Sequence, residues 1–270
     1  MFPASTGKRR FPRWGRMLLV PVLLAMISAC HGQNPAARDG QAAVTRACES
    51  VTFEGSPFTV CHAEQGRHRI RLVDRNAEGV PMRDFPALEA RLGSDWPRIA
   101  FAMNAGMFDQ SGAPIGLYVE EGDETKPLNR REGPGNFHLL PNGVFWGDAK
   151  GWHVTETEAF AKDRPDFPDF ATQSGPMLVI DGKLHPEFAD NGVSQLVRNG
   201  VGVDKSGDAW FAISDAPVSF GRFARLFRDR LHCDNALFLD GAVSRLWDPP
   251  GGRRQAGLPI GPIVVVTQKE

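Results

Sequence analysis

Four short segments of this 270-residue sequence carry the polar side chains best suited to chemistry, and each lies at the end of a predicted strand. They are Met103-Asn104-Ala105-Gly106-Met107-Phe108-Asp109, Gln173-Ser174-Gly175-Pro176, Val197-Arg198-Asn199-Gly200-Val201-Gly202-Val203-Asp204 and Leu239-Asp240-Gly241-Ala242-Val243-Ser244-Arg245. Strand ends that open into glycine-containing turns expose backbone N–H groups, and such groups bind anions. Asn104, Ser174, Arg198 and Asp240 add neutral donors, a permanent cation and a carboxylate to those turns. Taken singly, Asn-x-Gly and Asp-Gly are ordinary turn chemistry. Four such segments in one chain point to a polar site. Familiar signatures are missing: there is no G-x-S-x-G elbow, no H-E-x-x-H, no Walker loop and no dinucleotide fingerprint. His138 reads as a half-buried strand histidine, and His185 and His232 lack a second ligand at metal spacing, so zinc is not expected.

The elements that must position these residues are mostly strands. Alternating or β-rich runs recur at 58–62, 68–74, 98–103, 117–120, 137–140, 144–146, 177–180, 197–203, 209–214, 236–239 and 263–267. Turn residues punctuate them at Pro141-Asn142-Gly143, Asp181-Gly182 and Ser206-Gly207-Asp208, with Asp181-Gly182 the clearest hairpin signal. Helical periodicity is confined to 85–92 and 220–231; in the second, Phe220, Phe223, Ala224 and Phe227 share one face and arginines take the other, read as a solvated face. The expected architecture is α+β: a single domain with a central, mainly antiparallel or mixed sheet covered by a few helices. Trp146, Trp152, Trp210 and Trp247 read as core, with Trp247, seven residues after Asp240, the one whose face could also stack on a ligand.

Composition fits an ordinary globular protein, with 41% hydrophobic and 23% charged residues. The 31 basic and 32 acidic residues nearly cancel, which argues against a nucleic-acid partner. Five of the basic residues precede Cys30 with no acid among them, so the remainder carries 26 basic against 32 acidic. That basic start, the apolar run 17–27 and Ser28-Ala29-Cys30 have the order of an export signal. The run is shorter than the roughly 17–25 residues of a spanning helix. Ile27-Ser28-Ala29-Cys30 resembles a bacterial lipobox, so Cys30 is the expected lipidation site and residues 1–29 the signal peptide. Residues 30–47 have the composition of a tether, and the folded domain is expected over 48–270. Lipid on Cys30 leaves Cys48, Cys61 and Cys233 in an oxidising compartment. The turn chemistry of Glu54-Gly55-Ser56-Pro57 favours a Cys48–Cys61 bridge, while pairings with Cys233 stay open.

Read in order, the segments resemble the phosphodiester glycosidase family, the group that includes the lysosomal enzyme uncovering mannose-6-phosphate by removing N-acetylglucosamine, and in particular its bacterial exported branch. The resemblance runs through Met103 to Phe108, Pro114-Ile115-Gly116-Leu117-Tyr118, Gly135-Asn136-Phe137, Pro141 to Phe145, Ser174 to Leu178, Arg198 to Gly202 and Ala236 to Gly241. It implies a hydrolase that cleaves a sugar from a carbohydrate phosphodiester attached at its anomeric carbon. Arg198 would supply a planar fork for phosphate oxygens. Asn104, Ser174, Asn199, Ser244 and the N–H groups of Gly175 and Gly241 would complete the substrate site. Asp240 is the first candidate for the catalytic carboxylate and Asp204 the second. Both are also candidate ligands for Ca²⁺ or Mg²⁺. Ala105 and Ala242 stand where many members have a second glycine, which motivates one alternative: a sugar-phosphate-binding lipoprotein without turnover. The other is a metal-assisted phosphodiesterase. Either way the expected residence is the cell envelope, lipid-anchored to a bacterial membrane on its periplasmic or extracellular face.

Overall fold

Seventeen strands and three α-helices alternate along the chain in this computed structural model, which describes residues 44–166 and 168–269. The export signal, Cys30 and the tether up to residue 43 lie outside the described residues. The chain opens with β1 (Cys48–Phe53), β2 (Ser56–Ala63), β3 (His68–Val73), α1 (Phe85–Leu92), β4 (Ile99–Asn104), β5 (Tyr118–Glu120) and β6 (Asp123–Lys126). It continues through β7 (Gly143–Asp148), β8 (Gly151–Glu156), α2 (Thr157–Lys162), β9 (Phe170–Ser174), β10 (Met177–Ile180) and β11 (Lys183–Leu184). It ends with β12 (Asn199–Asp204), β13 (Ala209–Ser214), α3 (Phe220–Arg225), β14 (Cys233–Asp240), β15 (Leu246–Asp248), β16 (Arg253–Arg254) and β17 (Ile263–Gln268).

The α+β class is as expected, but the strands divide into three sheets instead of one. They run β1-β2-β13-β12-β14-β10-β11, β16-β15-β4-β17-β3 and β6-β5-β9-β7-β8, and all their pairings are antiparallel. Each sheet turns one face to a shared core containing Phe101, Phe145, Phe211, Leu237 and Val264. The other face is covered by helix: α3 through Phe223, continued by Phe227 in the π-turn Leu226–Arg230 that follows it, on the first sheet, α1 through Phe85 and Leu88 on the second, α2 through Phe160 on the third. Double burial explains why β17 reads as an unbroken apolar run, with Val264 and Val266 facing the shared core and Ile263 and Val265 facing α1.

Local chemistry sets the ends. Asp84 caps α1 by accepting from Ala87 N–H at 2.9 Å, and Gly93 closes it at φ 54°. The hairpins at Glu54-Gly55 and Asp181-Gly182 have positive φ at both central residues, the conformation a two-residue antiparallel turn needs. The first aligns Cys48 with Cys61, and the disulfide joins them as expected; Cys233 is free and buried. Two features differ from expectation. Residues 137–140 do not form a strand: Gly135 (φ 88°) starts a 3₁₀ turn over Asn136–His138, and Pro141 beyond it offers no N–H for a ladder. The arginine face of α3 is not simply solvated, since Arg225 holds Glu54 of the β1–β2 turn through two 2.7 Å bonds and Arg222 reaches Ser56 Oγ at 2.8 Å.

Candidate functional site

Strand ends from all three sheets meet at one place. Asn104 ends β4, Ser174 ends β9, Asn199 begins β12 and Asp240 ends β14. Asn199 and Asp240 are cross-strand partners. All four are buried, with Asp240 6% exposed.

Asn199 is the tie between the strand ends. Its Nδ2 donates to the Asn104 carbonyl at 2.8 Å and to Asn104 Oδ1 at 3.3 Å, and its Oδ1 accepts from Asp240 N–H at 3.0 Å and from the Ser244 hydroxyl at 3.2 Å. Asn104 Oδ1 also accepts from Arg245 N–H at 2.8 Å. Two donors on that oxygen fix the orientation of the amide and leave Asn104 Nδ2 buried without a partner. The Ser244 hydroxyl lies 2.6 Å from the Asp240 carbonyl, and the Ser174 hydroxyl donates to Leu239 O at 2.7 Å. Asn199, Ser174 and Ser244, expected to touch substrate, therefore have their donors engaged by the frame. Asn104 keeps one.

Arg198 is fully buried and faces no carboxylate. Its Nε donates to Val218 O at 2.9 Å, and its Nη2 donates to Ser194 O and Oγ at 2.9 and 3.0 Å. Only Nη1 is left without a partner. The expected two-nitrogen fork is therefore not available to a ligand, because the backbone of 194 and 218 already occupies it. Beneath the guanidinium lies the Phe220 ring, 3.6 Å from Cζ, and behind Phe220 stack Phe188 and His185 at centroid spacings of 4.9 and 4.6 Å. Burial brings the Arg198 pKa down to about 10, so the group stays cationic at neutral pH.

Asp240 carries the opposite charge. Its Oδ1 accepts from Ala242 N–H at 2.8 Å and Val243 N–H at 3.3 Å, and the Gly241 N–H also acts on the carboxylate. Burial nevertheless raises its pKa above the ordinary aspartate value, since desolvation outweighs the backbone donors and no cation pairs with it. Gly241, next after Asp240 in the chain, approaches Arg198: a Cβ there would stand 3.6 Å from Arg198 Nη1 and 2.7 Å from Phe238 Cζ. Gly175 is required for close approach, because a Cβ would stand 2.6 Å from Asn142 Cβ and 2.8 Å from Phe137 O.

One expected candidate falls elsewhere. Asp204 ends β12 opposite Cys233, roughly 17 Å from Asn199 at about 3.3 Å per residue, so it cannot share a cation or a reacting centre with Asp240. Its oxygens accept from Ser206 N–H, Asp208 N–H and Trp210 Nε1 at 2.8, 3.2 and 2.8 Å, which is turn chemistry. With His62 and Asp208 it forms the metal-capable grouping found among the described residues, each offering one atom within 4.8 Å of the others, and Asp240 belongs to no such group. Trp247 is 4% exposed and packs on Phe85, a core residue as the sequence reads, with no face open for stacking. The sequence reading did not anticipate Phe220, Ser194 or Val218. Phe220 was visible only as an apolar helix position, and a main-chain acceptor leaves no mark in a sequence.

Known proteins can be set beside this geometry. The family described as phosphodiester glycosidase matches residues 97–254. The uncharacterized protein YigE of Escherichia coli is 34% identical over 203 residues, covering 74% of this chain and 78% of that one. The catalytic domain of zebrafish N-acetylglucosamine-1-phosphodiester alpha-N-acetylglucosaminidase, in a form auto-inhibited by its pro-peptide, has a TM-score of 0.56 at 13% identity and covers 83% of this chain and 82% of that one. A hypothetical protein from Synechocystis has a TM-score of 0.50 at 14% identity, covering 82% of this chain and 61% of that one. At those identities the two structures speak for the fold. The family match spans every strand end of the buried cluster, and the chain belongs to the phosphodiester glycosidase family.

Proposed function

We propose that this protein hydrolyses sugar-1-phosphodiesters by breaking the bond between the anomeric carbon and the phosphate oxygen. The observation that carries the reading is a buried guanidinium with no carboxylate, its Nη1 unpartnered, abutting the glycine that follows a buried, unpaired carboxylate. An anionic group next to Arg198 Nη1 would supply the missing counter-charge. The leaving phosphate monoester is a stable anion with a second pKa of about 6, so it needs charge stabilisation more than a proton. Asn104 Nδ2 is a second donor whose direction is fixed before substrate arrives. Asp240, its pKa raised by burial, takes the proton of the attacking water or faces the positive charge that develops at the anomeric carbon.

The donor set around Asp240 is the reason for preferring this to metal-assisted cleavage at phosphorus, which would use a second carboxylate or imidazole close by. A screen of the protein against sugar-1-phosphodiesters, with Asp240→Asn as control, tests the reading. Hydrolysis of at least one by the wild type and not by the variant supports it, and binding without turnover by both would leave a sugar-phosphate-binding protein instead.

The place of action proposed from the sequence is the bacterial cell envelope, with an acyl anchor on Cys30. Cys30→Ser is expected to abolish incorporation of radiolabelled lipid; undiminished incorporation would remove that part of the proposal.

A further inference from the structure

A single exposed leucine on a protein surface is ordinary, whereas the distribution of such residues carries information. Among the described residues six large apolar side chains are exposed: Val80, Trp96, Leu140, Val193, Leu196 and Leu258. Four of them ride on the three loops that border the buried cluster. Leu140 (59% exposed) immediately precedes Pro141 and Asn142, the segment against which Gly175 packs. Val193 (100%) and Leu196 (43%) flank Ser194, which holds Arg198 Nη2, and Leu196 N–H shares the Val218 carbonyl with Arg198 Nε at 3.3 and 2.9 Å. Leu258 (66%) follows Gly257, where a Cβ would stand 2.9 Å from the Nη2 of Arg245, the residue whose main-chain N–H donates to Asn104 Oδ1.

The uncompensated buried cation is thus held by a loop that also carries exposed apolar side chains. An amphiphile with an anionic head complements both. We infer that the substrate is a sugar-1-phosphodiester whose second ester is a lipid alcohol, the phosphate at Arg198 and the chain against Leu140, Val193, Leu196 and Leu258. This rests on the function proposed above. A generally anionic membrane surface is the poorer match, since residues 185–197 contain no lysine or arginine and do contain Glu187 and Asp190. The reaction is the same hydrolysis: the oxygen of water bonds to the anomeric carbon as the bond from that carbon to the phosphate oxygen breaks. The products are the free sugar and a lipid monophosphate, with the proton of water carried off through Asp240.

The test compares two esters of one sugar phosphate, a methyl ester in water and a long-chain prenyl ester in neutral detergent micelles, with wild type and with the exposed double variant Val193→Asp/Leu196→Asp. The wild-type ratio of kcat/KM, prenyl over methyl, is expected to be at least about tenfold, the gain when two or three methylene groups leave water. In the variant the ratio falls toward one. Equal rates on the two esters, or an unchanged ratio in the variant, would overturn the inference while leaving the hydrolase reading intact. Binding of prenyl monophosphate, followed by calorimetry, gives a readout free of turnover. If neither ester is cleaved but the wild type binds the monophosphate and the variant does not, the lipid site stands and the hydrolase reading falls. Absence of both cleavage and binding removes both.

Discussion

Ionising Asp240 works against the fold. Its pKa is raised in the folded protein, so folding favours the protonated form, and the associated stability is full at low pH and is lost as pH rises through the folded value. At neutral pH Asp240→Asn is therefore expected to raise the melting temperature while lowering kcat by at least about 10²-fold. A variant that melts lower and keeps its kcat would contradict both assignments. The same shift places the acid limb of the wild-type rate profile above the ordinary aspartate value of about 3.9, with activity rising as the carboxylate forms. Arg198 makes a different demand. Two of its three nitrogens hold Val218 and Ser194 and the third has no partner, so under the proposed function that third nitrogen would meet the phosphate, and a single ammonium cannot do both. Arg198→Lys should raise KM as well as lower kcat, and a pure kcat effect in steady-state kinetics would deny it contact with the ground-state phosphate. The sequence singles out Asn104 and Asp240 because each ends a strand in a glycine-containing turn, and Arg198 because it stands at the start of a glycine-containing strand. It does not reveal that Asn199 and Ser244 are tied into the frame, since that depends on which strand end lies opposite.

The element that matters most is β12, which begins with the Asn199 tie and runs between β13 and β14. Its glycines let neighbours approach: a Cβ on Gly200 would stand 2.8 Å from Leu237 O and 3.2 Å from Phe223, and one on Gly202 would stand 2.7 Å from Cys233 Sγ. The Leu237 carbonyl is main chain in β14 and cannot swing aside. Gly200→Ala is expected to cost roughly 1–3 kcal/mol by overpacking, measured by urea denaturation; a loss below about 0.5 kcal/mol, the scale of an ordinary surface change, would show that β14 yields. Strands such as β13 and β17 were legible because apolar runs buried on both faces look alike from either side. In contrast β9, Phe-Ala-Thr-Gln-Ser, was not legible, although all five residues are buried. Its polar side chains serve loops far along the chain: Gln173 Oε1 accepts from Leu117 N–H at 3.0 Å and Asn129 N–H at 2.8 Å, and Thr172 Oγ1 accepts from Gly106 N–H at 3.2 Å. A polar strand whose partners are distant loop amides carries no hydrophobic period.

Across the whole molecule, three sheets share one core, and the candidate site lies where their strand ends meet. Which strands share a sheet is set by long-range packing, which local periodicity cannot encode; the expectation of one sheet had the right class and the wrong partition. The Cys48–Cys61 bridge was legible because a tight turn centred on Gly55 pairs those two positions. With a sequence separation of 13, breaking it should cost about 3 kcal/mol in the chain-entropy view. Denaturant titration of Cys48→Ser/Cys61→Ser measures this, and an unchanged midpoint would show that the hairpin needs no cross-link. Which bond is cut is decided by where the oxygen of water ends up. Hydrolysis of a cleavable sugar-1-phosphodiester is run in water enriched in the heavy oxygen isotope, and the products are weighed by mass spectrometry. Attack at the anomeric carbon, assisted by Asp240 with Arg198 on the departing phosphate, predicts the label in the sugar and none in the phosphate; label in the phosphate would contradict it.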